Sequence, residues 1–120
     1  MKSKQTLVGL FILIICSMLL VTTWASLYES VFVGAQKIAA EPWGIATFAD
    51  TYFAFLTFYV WVFYKEVSPW AKLIWLLLIL TLGNISMAAY VLWQLYKLPE
   101  GTPAHQILLR STSAVKNPNV

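Results

Sequence analysis

Three long apolar stretches alternate with short polar segments along this chain. The first, Leu7 to Ala25, is interrupted only by Ser17, Thr22 and Thr23 and follows Lys2 and Lys4. A helix rises 1.5 Å per residue, so about 20 residues cross the hydrocarbon core of a bilayer. This segment and the second, Ile45 to Tyr64, have that length. The third covers 71–96, roughly 26 residues, which exceeds the core and predicts tilt or protrusion. Between the first two, Leu27, Val31, Ala35 and Ile38 recur at helical spacing, with Glu29, Ser30, Gln36 and Lys37 opposite. That pattern predicts a short amphipathic helix over about 27–40, ended by Pro42. Such a helix lies on the membrane surface or packs against the tops of the spans. The fold class expected is all-α: an integral membrane domain over 1–110 with three transmembrane helices (about 7–25, 45–64 and 71–96) plus this amphipathic helix. Residues 111–120 are small and polar, and predict a disordered tail.

The connections carry their own signals. Ser68 followed by Pro69 supplies a capping oxygen and then a fixed φ at the first helical position. The turn before it is short, so the second and third spans are expected as antiparallel neighbours. Thr102-Pro103 repeats the signal, predicting two helical turns over 103–110 with Ile107, Leu108 and Leu109 touching the membrane surface.

The polar residues inside the spans are the candidates for function: Asp50, Thr57, Asn84, Tyr90 and Gln94. Thr47, Asp50, Ala54, Thr57 and Trp61 fall on one helical stripe. A stripe of one acid, two hydroxyls and a small residue is expected to face other helices, with the aromatic faces toward lipid. In the third span Thr81, Asn84 and Ala88 form a stripe, flanked by the small residues Gly83 and Ser86, which allow close backbone approach. Counting 1.5 Å per residue from the span ends puts Asp50 and Tyr90 roughly 8–9 Å below one surface, and Thr57 and Asn84 roughly 18 Å deep. These depths predict Asp50 beside Tyr90 or Gln94, and Thr57 beside Asn84. A carboxylate inside a span is costly and marks either a functional group or one held by a hydrogen bond near the interface.

Composition agrees with lipid as the solvent. The 120 residues are 60% hydrophobic and 11% charged, against about 25% charged in soluble domains. The net charge of +3 comes without a dense basic run, which argues against nucleic-acid binding. The single cysteine, Cys16, excludes an internal disulfide, and one His with one Cys cannot complete a structural zinc site. No metal and no cofactor is expected. A cleaved signal peptide competes with a retained first span, but its cleavage site, Thr23-Trp24-Ala25, has Thr at the outer small position, so the retained helix is preferred. Leu13-Ile14-Ile15-Cys16 has Ile where a lipobox wants Gly or Ala.

With the N-terminus inside and three spans, Lys2, Lys4, Lys65 and Lys72 are cytoplasmic, and Lys37, Lys97, Arg110 and Lys116 are outside. Charges close to span ends count most, which favours N-in, C-out.

The segments PWGIATFADTYFAFLTFYVWVFYKE, LIWLLLILTLGNISMAAYVLWQL and KLPEGTPAHQILLR carry a resemblance. Its landmarks are Pro42-Trp43, the run from Asp50 to Tyr59, and Leu82-Gly83-Asn84. Over about 21–110 the chain resembles a family of small bacterial membrane proteins of unknown function, the domain-of-unknown-function family fourteen-seventy-five. The resemblance implies a multi-span protein of a bacterial inner membrane and carries over no catalytic residue.

No Ser/His/Asp set, phosphate-binding glycine loop or HExxH pair occurs, so an enzyme is not expected. Two classes remain. The first is an accessory or structural subunit whose polar stripe packs against a partner or its own helices. The second is an oligomeric small transporter or channel with Asp50 lining the path. The partners expected are the lipid bilayer and either a second copy or another membrane protein.

Overall fold

A computed structural model of the protein describes residues 2–110. The predicted disordered tail at 111–120 lies outside the described residues. The described chain is all-helical: α1 (Lys2–Ser26), α2 (Val31–Ala39), α3 (Pro42–Lys65), α4 (Pro69–Leu82), α5 (Asn84–Lys97) and a terminal 3₁₀ helix (Ala104–Leu108). Two of these helices, α1 and α3, are long and apolar enough to cross a membrane.

Local chemistry sets the helix starts: that of α4 falls where the sequence reading expects it, and that of α2 at Val31, later than the expected 27. Ser30 Oγ accepts the Val33 N–H at 3.2 Å and starts α2. Ser68 Oγ accepts the Ala71 N–H at 3.4 Å, with Pro69 at the first position of α4. Helix α2 turns tightly into α3: a Cβ on Gly44 would collide with the Ile38 carbonyl oxygen. Ala35 and Ile38 line a cleft with the end of α1 and Phe48 of α3, while Phe32 is exposed.

The expected third span over 71–96 does not form. Gly83, with φ 57° and ψ −121°, divides it into two 14-residue helices. Each is about 21 Å long, short of the ~30 Å hydrocarbon core. The chain folds back at Gly83. Ser86 Oγ donates to the Leu78 carbonyl at 2.9 Å, and the Trp75 and Tyr90 ring centroids are 4.7 Å apart. In one straight helix those residues would be too far apart to touch: eight residues already rise about 12 Å. A positive φ beside a negative ψ near −120° is open to glycine and strained for other residues. Close packing reinforces the requirement, because a Cβ on Gly83 would lie 2.7 Å from Phe55 Cζ.

This hairpin places the core. Helix α5 runs back beside α4 and packs most extensively along α1, and its Tyr90 reaches Phe55 and Val62 of α3 and Ile79 of α4 to form one buried cluster. Below it, Val91 and Leu95 of α5 join Ala104 and Ile107, covered by Leu7, Val8 and Phe11 of α1. The upper halves of α1 and α3 extend past the hairpin tip and stay exposed, as at Leu20 and Phe53.

The reversal also overturns the expectation of termini at opposite ends. Lys4, Gln5 and Val8 line a cleft with Glu100, Gly101 and Thr102, and Ser3 and Leu7 line another with residues of the 3₁₀ helix. The start of α1 and residues 104–110 therefore share one end of the bundle, here called the lower end. An odd number of crossings would separate them; a hairpin that returns adds none. Residues 103–110 were expected to form two turns on the membrane surface. They form a short 3₁₀ helix instead, and Ile107 is buried in the lower core.

Candidate functional site

The polar stripe of α3 points away from the bundle. Phe55 and Val62 are buried in the bundle and Phe48 lines the cleft with α1 and α2, whereas Asp50, Ala54 and Thr57 are exposed. The prediction fails for Asp50, Ala54 and Thr57, while Trp61 of the same stripe packs on Tyr90, and Phe53, Leu56, Val60 and Phe63 are exposed as expected. Local hydrogen bonds remove the threonines' need for a partner helix. Thr57 Oγ1 donates to the Phe53 carbonyl at 2.9 Å, Thr47 Oγ1 to Trp43 at 2.8 Å, and Thr81 Oγ1 to Leu77 at 2.8 Å. A threonine satisfied by the carbonyl one turn back needs no partner on another helix. The apolar rings, in contrast, gain most from packing on one another.

Neither predicted pairing occurs. Asn84 is exposed at the hairpin tip and Thr57 bonds within its own helix, so the two do not pair. Asp50 has no hydrogen bond within the described residues, and Tyr90 lies far below it. The depth count failed because it treated 71–96 as one span, which runs Tyr90 to the wrong end of α3.

Tyr90 sits at the centre of the lower bundle, fully buried. Trp75, Trp61 and Phe58 surround it edge-on, with centroids at 4.7, 5.5 and 6.2 Å. Its hydroxyl leaves this aromatic cage and donates to Glu66 Oε2 at 2.7 Å. Glu66 ends α3, and its own N–H donates to the Val62 carbonyl. A buried tyrosine hydroxyl needs such a partner, and a carboxylate makes it a strong one.

One helical turn beyond Tyr90, Gln94 is 4% exposed, and its Nε2 finds no acceptor among the described residues. Gln94 lines a cavity of about 80 Å³ together with Lys65 at the end of α3, Lys97 at the end of α5, and Gln106 and Arg110 from the terminal segment. That segment is tied to the last turn of α3. Trp61 Nε1 donates to the Leu108 carbonyl at 3.1 Å and Lys65 Nζ to the Leu109 carbonyl at 2.6 Å. Arg110 Nε donates to the Tyr64 carbonyl at 3.0 Å, and the Arg110 N–H to Tyr64 Oη at 3.2 Å.

Of the candidate residues, then, Tyr90 and Gln94 come together, and Asp50, Thr57 and Asn84 remain apart on exposed surfaces. The sequence reading missed Glu66, Lys65, Lys97 and Arg110. That reading puts Lys65 on the cytoplasmic side, with Lys97 and Arg110 on the opposite one, and gives Glu66 no part. The sequence offers one hint, a glycine near the middle of an over-long span, and a glycine alone does not force a turn. No group of three or more His, Cys, Asp or Glu that could hold a metal ion occurs among the described residues.

No curated protein and no solved structure matches the chain. A family model matches residues 1–115, nearly the whole length, and includes the hairpin, the aromatic cage and the cavity below it. The chain belongs to the family described as "Protein of unknown function (DUF1475)".

Proposed function

We propose that this chain is a non-catalytic, integral membrane subunit that assembles with another membrane protein through the outward stripe of α3. One observation carries the reading. Asp50 is exposed on a helix long and apolar enough to span a bilayer, about 12 Å from its start at Pro42 by helical rise, and receives no hydrogen bond within the described residues. A carboxyl group facing hydrocarbon is costly, and such groups normally face protein or water. Thr47, Ala54 and Thr57 extend the stripe with small and already satisfied side chains, which lets a partner helix approach closely.

In this reading α1 and α3 are the two spans, and the α4–α5 hairpin enters and leaves from one face. Its irregular backbone at Gly83 is buried against Phe55, the condition under which a break inside a membrane is tolerated. The charge distribution supports an orientation. Among the described residues Lys4, Lys65, Lys72, Lys97 and Arg110 gather at the lower end, while Lys37 alone stands at the upper end, where it pairs with Glu29 at 2.8 Å. By the positive-inside rule this supports the lower end, with the start of α1 and residues 104–110, as the cytoplasmic one. The bacterial inner membrane is carried over from the family resemblance.

The test is purification in a mild detergent, with the particle mass and every co-purifying chain identified. The reading predicts a stable foreign partner that is lost or weakened in Asp50→Asn and Asp50→Leu. A homo-oligomer with nothing else bound, intact in Asp50→Asn but without ion flux, would replace it with the transporter or channel reading. A monomer indifferent to both substitutions would refute assembly through this stripe.

A further inference from the structure

We propose that the cavity beneath Tyr90 is a binding site for a phosphate-bearing anion, and that in the membrane its ligand is the headgroup phosphate of an anionic phospholipid. Three cationic side chains, Lys65, Lys97 and Arg110, line it, and no acidic side chain appears among its described lining residues. Two acids adjoin lining residues in sequence: Glu66, whose carboxylate is engaged by the Tyr90 hydroxyl at 2.7 Å, and Glu100, which lines a separate cleft with Lys4.

The charges alone would have a simpler account. Lys65 and Lys97 end α3 and α5, where cations complement the helix dipole. Gln94 is what that account leaves out. Its amide is buried at 4% exposure, lines the same cavity, and has an Nε2 with no acceptor among the described residues. Native proteins leave few buried donors unpaired. An acceptor held in the cavity completes it, and the surrounding charge selects an anion. Arg110 is already steered into place: its Nε and main-chain N–H are spent on Tyr64, which leaves the outer edge of the guanidinium fork for a second, bidentate contact.

Size and setting narrow the ligand. A cavity of about 80 Å³ holds a few water-sized groups, at roughly 10–15 Å³ each, and falls well below the ~300 Å³ of a typical small-molecule pocket. A single phosphate group suits it; a nucleotide does not. The rim is apolar on one side, through Leu98, Ile107 and Leu109, and Trp93 and Tyr96 stand exposed on the same end of α5, as anchors at a headgroup layer do. The choice of a lipid as the source rests on the proposed orientation, since anionic lipids populate the cytoplasmic leaflet. The recognition of phosphate does not.

The experiment is native mass spectrometry of the full-length protein in a mild detergent. It is titrated with phosphatidylglycerol, with phosphatidylcholine, and with inorganic phosphate alone. The result expected is retention of phosphatidylglycerol over phosphatidylcholine. That preference falls at least about tenfold in Lys97→Gln/Arg110→Gln, whose two side chains are exposed, and in Gln94→Leu. Should Gln94→Leu fail to fold, the Lys97→Gln/Arg110→Gln pair decides alone. Binding of inorganic phosphate that the same pair abolishes, without a lipid preference, assigns the site to free phosphate and overturns the lipid assignment. Equal binding of both lipids and no phosphate binding, or variants that bind as the unaltered protein does, overturns the proposal. Neither readout needs a partner protein or an orientation, so a failure here is separable from a failure of the assembly reading.

Discussion

Substituting Gly83 with alanine tests the hairpin, because the two candidate geometries predict opposite signs. In a continuous 71–96 helix, Gly83→Ala would stabilise by about 0.5–1 kcal/mol through helix propensity. In the hairpin the residue sits at φ 57° and ψ −121°, a region nearly closed to alanine. Such backbone strain costs of order 1–3 kcal/mol. The added Cβ would also lie 2.7 Å from Phe55 Cζ. That atom is the far end of a side chain, but the ring is only 8% exposed and packed in the core with Val62, Ile79 and Tyr90. Moving it adds an overpacking cost of about 1–3 kcal/mol. The sum is about 2–6 kcal/mol of destabilisation. The assay is thermal or denaturant unfolding in detergent, followed by helix content. Pairing Gly83→Ala with Phe55→Leu relieves the steric share and leaves the backbone share, so the double variant should recover only part of the loss. A Gly83→Ala protein equal to or more stable than the unaltered chain would refute the hairpin and restore a single long span.

Three further outcomes follow from the same geometry. Tyr90→Phe removes the donor to Glu66 Oε2 and should destabilise by about 1–3 kcal/mol, measured by unfolding; combining it with Glu66→Gln should cost less than the sum of the two single changes, and strict additivity would refute the contact. Reporters active only in the cytoplasm, fused in turn to each terminus, should both be active; one active and one silent would refute the paired ends. Trp61→Phe keeps an aromatic ring near Tyr90 but removes the Nε1 bond to Leu108, so proteolysis near residues 104–110 should increase by more than the accompanying loss of stability, about 1–2 kcal/mol, accounts for.

Patterning along the chain was sufficient for much of the secondary structure. The lengths of α1 and α3, the amphipathic α2 and the Ser68–Pro69 start of α4 all rest on interactions within a few residues: helix rise, a capping oxygen, a proline ring. The candidate site was legible only in pieces. Tyr90 and Gln94 stood out as polar residues in an apolar run, but the residues that meet them, Glu66, Lys65 and Arg110, are distant in sequence and needed the correct path of the chain.

What the sequence by itself determined is an all-helical chain with two segments long and apolar enough to cross a membrane. What only the tertiary structure decided is direction. Helical periodicity is the same for one helix of 26 residues and two of 14, so nothing in the pattern distinguishes a span from a hairpin. A glycine does not force a turn; Phe55 packed against Gly83, and the Ser86 bond back to Leu78, make the turn the better-packed choice. Likewise a polar stripe does not say which way it faces. With the Thr47 and Thr57 hydroxyls satisfied by their own helix, Phe55, Phe58 and Trp61 gain more by packing inward, and Asp50 is left outside. Those two outcomes, the reversal of the chain at Gly83 and the outward Asp50, follow from contacts between segments, and such contacts are absent from any local reading.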